Sequence, residues 1–177
     1  KYGKQYLLIS NQNAITYKEI FPYIKNNKAR VGYHFGDMAF RVPDDTEPRK
    51  TRFWVDEFGQ KWRSLGNAMW LTNLEVSNDS GKKLVLTHSF KKENYPKYDN
   101  FDAVHVYRVS EIPMDYYGIM GVPLTYLKYH NDEMFEIVGE ANHGSDNEYD
   151  LFKPQINGKE TFKRILIKRR KRDKRME

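Results

Sequence analysis

The chain has 177 residues, 39% of them apolar and 15% aromatic, which suits one folded domain with a proper core and excludes a disordered tail. It has no cysteine, so disulfide frameworks, cysteine-ligated zinc and thiol catalysis are excluded. Most of the net charge of +6 lies between Lys168 and Glu177, where seven Lys/Arg face two acids, so the rest of the chain is close to neutral.

No apolar run approaches the length of about 18 residues that a membrane helix needs, and no signal peptide opens the chain. A cytoplasmic location without membrane contact is the expectation. The chain opens on Lys1 rather than Met, directly before an apolar run, and reads as a piece of something longer.

That first run, Tyr6-Leu7-Leu8-Ile9-Ser10, reads as a buried strand that ends in the amide-rich turn Asn11-Gln12-Asn13. Thr16 and Glu19 then have capping-box spacing, predicting a helix over 17–27 that Pro22 would break or kink. Strand-to-helix turns at the carboxyl edge of an α/β sheet are where such folds place ligands. Arg30 to Phe35 and Met38 to Val42 alternate like strands around Gly36-Asp37, a hairpin-like turn in reversed order. Pro43 to Lys50 is a polar loop. Phe53-Trp54-Val55, Ala68 to Leu71, Leu84-Val85-Leu86 (after the turn Asn78-Asp79-Ser80-Gly81), Ala103 to Tyr107 and Phe135 to Val138 are further strand candidates. Pro123 to His130 predicts a short helix with Pro at its start. Asn157-Gly158 is a type I′ turn leading towards Phe162 to Ile167.

Metal chemistry finds no support. The five histidines, at 34, 88, 105, 130 and 143, include no pair at helical ligand spacing and read as structural or surface residues. Gly118-Ile119-Met120-Gly121 has phosphate-clamp spacing but reads better as a tight turn before Pro123. Tyr95-Pro96-Lys97-Tyr98 interleaves aromatic and basic residues, and suits either a DNA groove or a loop anchored by its own tyrosines. Arg52, Lys61, Trp62 and Arg63 suit either phosphate contacts or an ordinary solvated face. The basic run Lys168-Arg169-Arg170-Lys171-Arg172 can neutralise phosphates without sequence selectivity, or be a solvated, frayed terminus.

The stretch Asn11 to Pro22 resembles the segment after the catalytic motif of EcoRI-type adenine-specific DNA methyltransferases. The likeness continues in order through Met69-Trp70-Leu71-Thr72-Asn73-Leu74, Tyr95 to Ala103, Gly118 to Thr125, Phe135-Glu136-Ile137-Val138-Gly139 and Arg164-Ile165-Leu166-Ile167-Lys168. It is weakest over 30–66 and 140–162. The resemblance implies an α/β or α+β fold in which residues 1–90 finish a Rossmann-like methyltransferase core and 91–177 add a strand-rich, family-specific region. It implies S-adenosylmethionine as cofactor, double-stranded DNA as partner, and methylation of adenine N6 by direct attack of the amine. The family's Asn/Asp-Pro-Pro-Phe/Tyr tetrapeptide and its glycine-rich cofactor motif are absent from these residues, which implies that this is the C-terminal half and is inactive alone. No catalytic residue is therefore assigned.

By the same resemblance Asn11 and Asn13 lie near the active site, the alternative being that they merely cap their turn. Trp70 and Asn73 stand where amino-methyltransferases often hold the flipped base, the alternative for Trp70 being a place in the core. Arg63, Lys168, Arg169 and Arg170 are the candidate phosphate contacts. A non-enzymatic nucleic-acid-binding module, using exposed aromatics and the basic tail, is the rival reading.

Overall fold

The computed structural model describes residues 3–75, 84–142 and 153–171 of the chain. In chain order its strands are β1 (Leu7–Asn11), β2 (Arg30–Gly36), β3 (Ala39–Arg41), β4 (Phe53–Val55), β5 (Lys61–Ser64), β6 (Ala68–Thr72), β7 (Val104–His105), β8 (Ile119–Val122), β9 (Phe135–Ala141), β10 (Gln155–Ile156), β11 (Lys159–Glu160) and β12 (Arg164–Arg169). A five-residue helix, α1 (Phe21–Lys25), and short 3-10 turns such as Gln12–Thr16 and Leu124–Tyr129 connect them.

The architecture is α+β. In the first sheet β6 lies between β1 and β2 and is antiparallel to both. A second sheet, β3-β5-β4, is inserted between β2 and β6 in sequence and is also antiparallel. The third sheet has the order β7-β8-β12-β9, with β7 parallel to β8 and the last strand inserted between two earlier ones. Hairpin β10–β11 closes through Asn157 (φ 52°) and Gly158 (φ 73°), the type I′ turn that the Asn-Gly pair predicts.

One buried apolar cluster runs through the first and third sheets. Met69 and Leu71 of β6 join Ile15, Phe21 and Ile24, and meet Met120, Val122, Tyr126, Phe135, Ile165 and Ile167 from the C-terminal half. Each such side chain contributes about 1.5–3 kcal/mol on burial.

Several expectations change. The run Leu7-Leu8-Ile9 forms a strand, but an edge strand, and its side chains are 54%, 52% and 55% exposed. No capping box forms: the Thr16 hydroxyl donates to Asn13 O, and the N-cap of α1 is Ile20 without a side-chain cap. Helix α1 is shorter than 17–27, and Pro22 falls in its first turn, where a missing N–H costs nothing. Strands β2 and β3 exist but pair with β6 and β5 rather than with each other, so Gly36-Asp37 closes no hairpin. Leu84-Val85-Leu86 is not a strand, although Leu84 and Leu86 pack against the core. The turn expected at 78–81 and His143 lie outside the described residues.

Gly118 to Gly121 is no tight turn either, because β8 begins at Ile119. Gly121 is required for a different reason. A Cβ there would lie 2.2 Å from the Tyr98 hydroxyl and 2.9 Å from its ring, and Tyr98 is only 4% exposed. Gly121→Ala should therefore destabilise by about 1–3 kcal/mol, read as a lower unfolding midpoint. Adding Tyr98→Phe, which removes the hydroxyl, should return part of the loss. A Gly121→Ala protein that melts with the wild type would show that the ring yields freely.

Candidate active-site edge and nucleic-acid contacts

Asn11 closes β1, and its Oδ1 accepts the Asn13 N–H at 2.9 Å, capping the 3-10 turn that follows. Asn13 Oδ1 in turn accepts from Lys163 Nζ at 3.3 Å, and the same ammonium donates to Thr16 Oγ1 at 3.0 Å. Both amides thus shape the turn that carries the chain away from β1. Lys163, which precedes β12, was invisible to sequence reasoning because 150 and 147 residues separate it from its two partners.

Glu140 on β9 faces this lysine and is 2% exposed. Burial pushes its carboxyl up to about 7, with the Lys163 ammonium pulling the other way. The same burial lowers the Lys163 pKa, opposed by Glu140.

A second polar network adjoins it through Arg164. The Arg164 guanidinium can only donate, so at 3.4 Å His105 Nε2 accepts from its Nη2. Nδ1 then carries the ring proton and donates to Tyr98 Oη at 2.8 Å, and that hydroxyl donates onward to Gly121 O at 3.5 Å. Burial, helped by the Arg164 charge, pushes His105 down to about 4. His105 is a neutral core residue, as expected of a structural histidine. The neighbouring Tyr107 ring meets it edge-on at 4.5 Å while remaining 57% exposed.

The other candidates are placed apart from this edge. Trp70 sits on β6 with its half-buried side chain paired in register with exposed Ile9, while its neighbours Met69 and Leu71 point into the core. The backbone at Gly32 packs against it, since a Cβ there would lie 2.8 Å from Trp70 Cβ. Asn73 accepts the Tyr6 N–H and donates to Lys4 O, both at 2.9 Å, extending the β1–β6 ladder past its last strand pair. Arg63 lies on β5 in the second sheet, between Phe40 and Phe53 on the same face, with no ion pair among the described residues.

The basic run is not a frayed tail up to Lys171. Lys168 and Arg169 belong to β12: Lys168 is exposed and pairs in register with Glu136, and the Arg169 guanidinium lies 5.8 Å from the Tyr117 ring centre. Arg170 donates from Nε to Asp132 O at 2.8 Å. Residues 172–177 lie outside the described residues. The aromatic block at 95–98 proves to be an anchor: Tyr95 and Tyr98 are 6% and 4% exposed, and Tyr95 Oη donates to Glu111 O at 2.7 Å. Lys97 pairs outside with Asp102 at 2.7 Å. Among the described residues no cluster of His, Asp or Glu can hold a metal ion, and no helix is long and apolar enough to cross a membrane.

Comparison with known proteins adds the family. The family model "Adenine-specific methyltransferase EcoRI" matches residues 1–171, and the chain belongs to that family. The chain is 44% identical to the type II methyltransferase M.EcoRI of Escherichia coli, over 98% of its own length and 53% of that protein. It is 32% identical to M.MgeORF184P of Mycoplasma genitalium and 28% identical to M.MpnI of Mycoplasma pneumoniae, each over 96% of this chain and 58% of the relative. It therefore spans somewhat more than half the length of these curated relatives, all three type II methyltransferases. No solved structure matches.

The two shifted groups predict opposite pH slopes. His105, lowered towards about 4, contributes stability that is present above about pH 6.5 and lost as pH falls. Glu140, raised from 4.5 to about 7, contributes stability that is present at low pH and lost as pH rises through that window. Glu140→Gln removes only the second slope. Its stability relative to wild type should grow by on the order of 2–3 kcal/mol between about pH 4.5 and 7, measured by denaturant unfolding. A constant difference across that window would contradict a buried, protonated Glu140.

Proposed function

We propose that this chain is the C-terminal half of an adenine-specific DNA methyltransferase of the type II, restriction-modification kind. The complete protein would transfer a methyl group from S-adenosylmethionine to N6 of an adenine in a specific duplex site. The family match across residues 1–171 carries this reading. Residues 1–90 would finish a Rossmann-like core and 91–177 would supply the family-specific region. The outer edge of β1, which has no strand partner among the described residues, supports that division, because further strands of a doubly wound sheet would add there. The antiparallel β6 would then belong to the mixed edge that many such sheets carry.

Among the described residues, the turn after β1 leaves no asparagine side-chain oxygen free for the cofactor. Asn11 and Asn13, the residues expected nearest to it, spend their side-chain oxygens on the turn and on Lys163. S-adenosylmethionine supplies the electrophilic methyl group; the part left to these residues is to fix the turn after β1 and to offer Trp70 to an extruded base. An enzyme that acts on adenine in a duplex must take the base out of the stack and hold it. Trp70 suits this role because it stands outside the core cluster, on the face shared with exposed Ile9. A non-enzymatic DNA-binding module is supported less well, since the tyrosines at 95 and 98 are buried and Arg170 is engaged with Asp132. A cytoplasmic location goes with the methyltransferase reading.

Labelled S-adenosylmethionine and adenine-containing duplexes test it. The complete protein should label N6 of adenine, and residues 1–177 alone should transfer nothing; transfer by the isolated chain would refute the half-enzyme reading. In the complete protein Trp70→Ala should lower catalytic efficiency by about 1–3 kcal/mol, roughly one to two powers of ten, and Trp70→Phe should keep a good part. The unfolding midpoint should fall less than on removal of a core tryptophan, which costs about 3–5 kcal/mol, because Trp70 is half-buried and lies outside the core cluster. A large fall in midpoint with normal specific activity in the folded fraction would rule out base stacking.

A further inference from the structure

A groove of about 610 Å³ opens beside the end of β7 and the Leu124–Tyr129 turn, a size typical of ligand sites. Tyr107, Arg108, Ser110, Thr125, Lys128 and Tyr129 supply its polar and aromatic wall, beside apolar Leu84, Val85, Val109 and Pro123, and no carboxylate lines it among the described residues. Arg108 is 80% exposed and has only a loose contact, 3.9 Å, with Glu111 outside the groove. The Lys128 ammonium lies 5.6 Å from the Tyr129 ring centre and has no ion pair among the described residues. The cavity of about 420 Å³ that Lys128 also lines differs: Asp132 and Glu133 stand in its wall beside Arg30 and Lys128, so its cations already have acids near them.

We propose that the groove holds the sugar–phosphate backbone of one strand of bound DNA. This rests on the reading that the complete protein acts on DNA. Arg108 and Lys128 would each neutralise a phosphate, the Ser110 and Thr125 hydroxyls would donate to phosphate oxygens, and the exposed Tyr107 ring would lie against a sugar or base. The basis is charge complementarity: two cations, two hydroxyls and two aromatic rings line one concave surface, and the one described acid near them, Glu111, meets Arg108 only at 3.9 Å and is not among the described lining residues. The edge contact of Tyr107 with buried His105 at 4.5 Å fixes that ring from behind and leaves its other side open.

Binding of the complete protein to a mixed-sequence duplex oligonucleotide, followed against salt, is the test. Each neutralised phosphate contributes about 0.9 to the slope of log affinity against log salt. The double variant Arg108→Gln/Lys128→Gln should thus lose roughly 2 in slope and about ten- to a hundredfold in affinity near 0.1 M salt. Arg108→Gln alone, exposed enough to leave folding untouched, should lose about 1 in slope. Arg108→Lys/Lys128→Arg should keep the wild-type slope. Tyr107→Ala should weaken binding about 5- to 150-fold with the slope unchanged.

A wild-type slope in both folded Gln variants overturns the proposal, and methyl transfer by the same preparations would show that the methyltransferase reading stands without it. A reduced slope with no methyl transfer by the wild type keeps the groove and removes the methyltransferase reading. A wild type that binds no duplex overturns both.

Discussion

The last strand of the chain holds its first turn in place. Strand β12 lies between β8 and β9 with Ile165, Leu166 and Ile167 fully buried, and the residue just before it, Lys163, reaches back to Asn13 and Thr16. A half-buried ammonium tolerates its surroundings only because two oxygens and the Glu140 carboxyl face it. Removing one member of such a group leaves the others without compensation, which costs more than the pair contributes. The shape of the loop after β1 therefore depends on residues near the other end of the chain. Contacts of this range are slow to form, because loop closure must precede any gain from them.

What the sequence disclosed follows from range. Strands β4, β6 and β12 and the Asn157-Gly158 turn were legible because short apolar runs and φ > 0 chemistry are local properties. Partner choice is not local. β2 and β3 look like two arms of one hairpin, yet each finds a better-placed strand further along: β6 for β2, and β5 for β3. The Thr16 and Glu19 spacing misled for a similar reason, since Asn11 had already closed the preceding turn and Pro22 set the start of α1. The polar centre was the least legible part. Its one sequence hint is Glu140, a carboxylate within the apolar run Ile137-Val138-Gly139-Glu140-Ala141, where an unpaired charge would be costly.

The candidate nucleic-acid contacts separate by what already occupies them. Arg170 spends its Nε donor on a backbone carbonyl, and Arg169 lies over Tyr117, so their charges are tied to the sheet edge. Arg63 is different, because its small sheet lies outside the buried apolar clusters and is tied together on one face by its own tryptophans. Trp54 and Trp62 stack at 6.5 Å with an 8° angle between planes, and Trp62 Nε1 donates to Asp56 Oδ2 at 2.8 Å. That hydrogen bond is the main reason the Asp56 carboxyl stays below its usual range. On the opposite face Arg63 has phenylalanines on either side and no acid to hold it. The inserted sheet thus presents one satisfied face and one whose cation has no protein partner among the described residues.

Strand β1 carries the same logic to the fold as a whole. Natural sheets blunt their edges with lysine, proline, bulges or a covering element, because an open apolar edge invites pairing with another chain. Among the described residues β1 has none of these over Leu7 to Ile9, and it is exposed on both faces, although Leu8 shares a face with buried Leu71. Burying those three side chains would contribute several kcal/mol at about 1.5–3 kcal/mol each. Such an edge makes physical sense as an internal seam. In the proposed half-enzyme, the seam runs alongside the strand that ends in Asn11. The bond of Lys163 to Asn13 would then set the shape of the turn at the seam before the other half of the sheet packs against it.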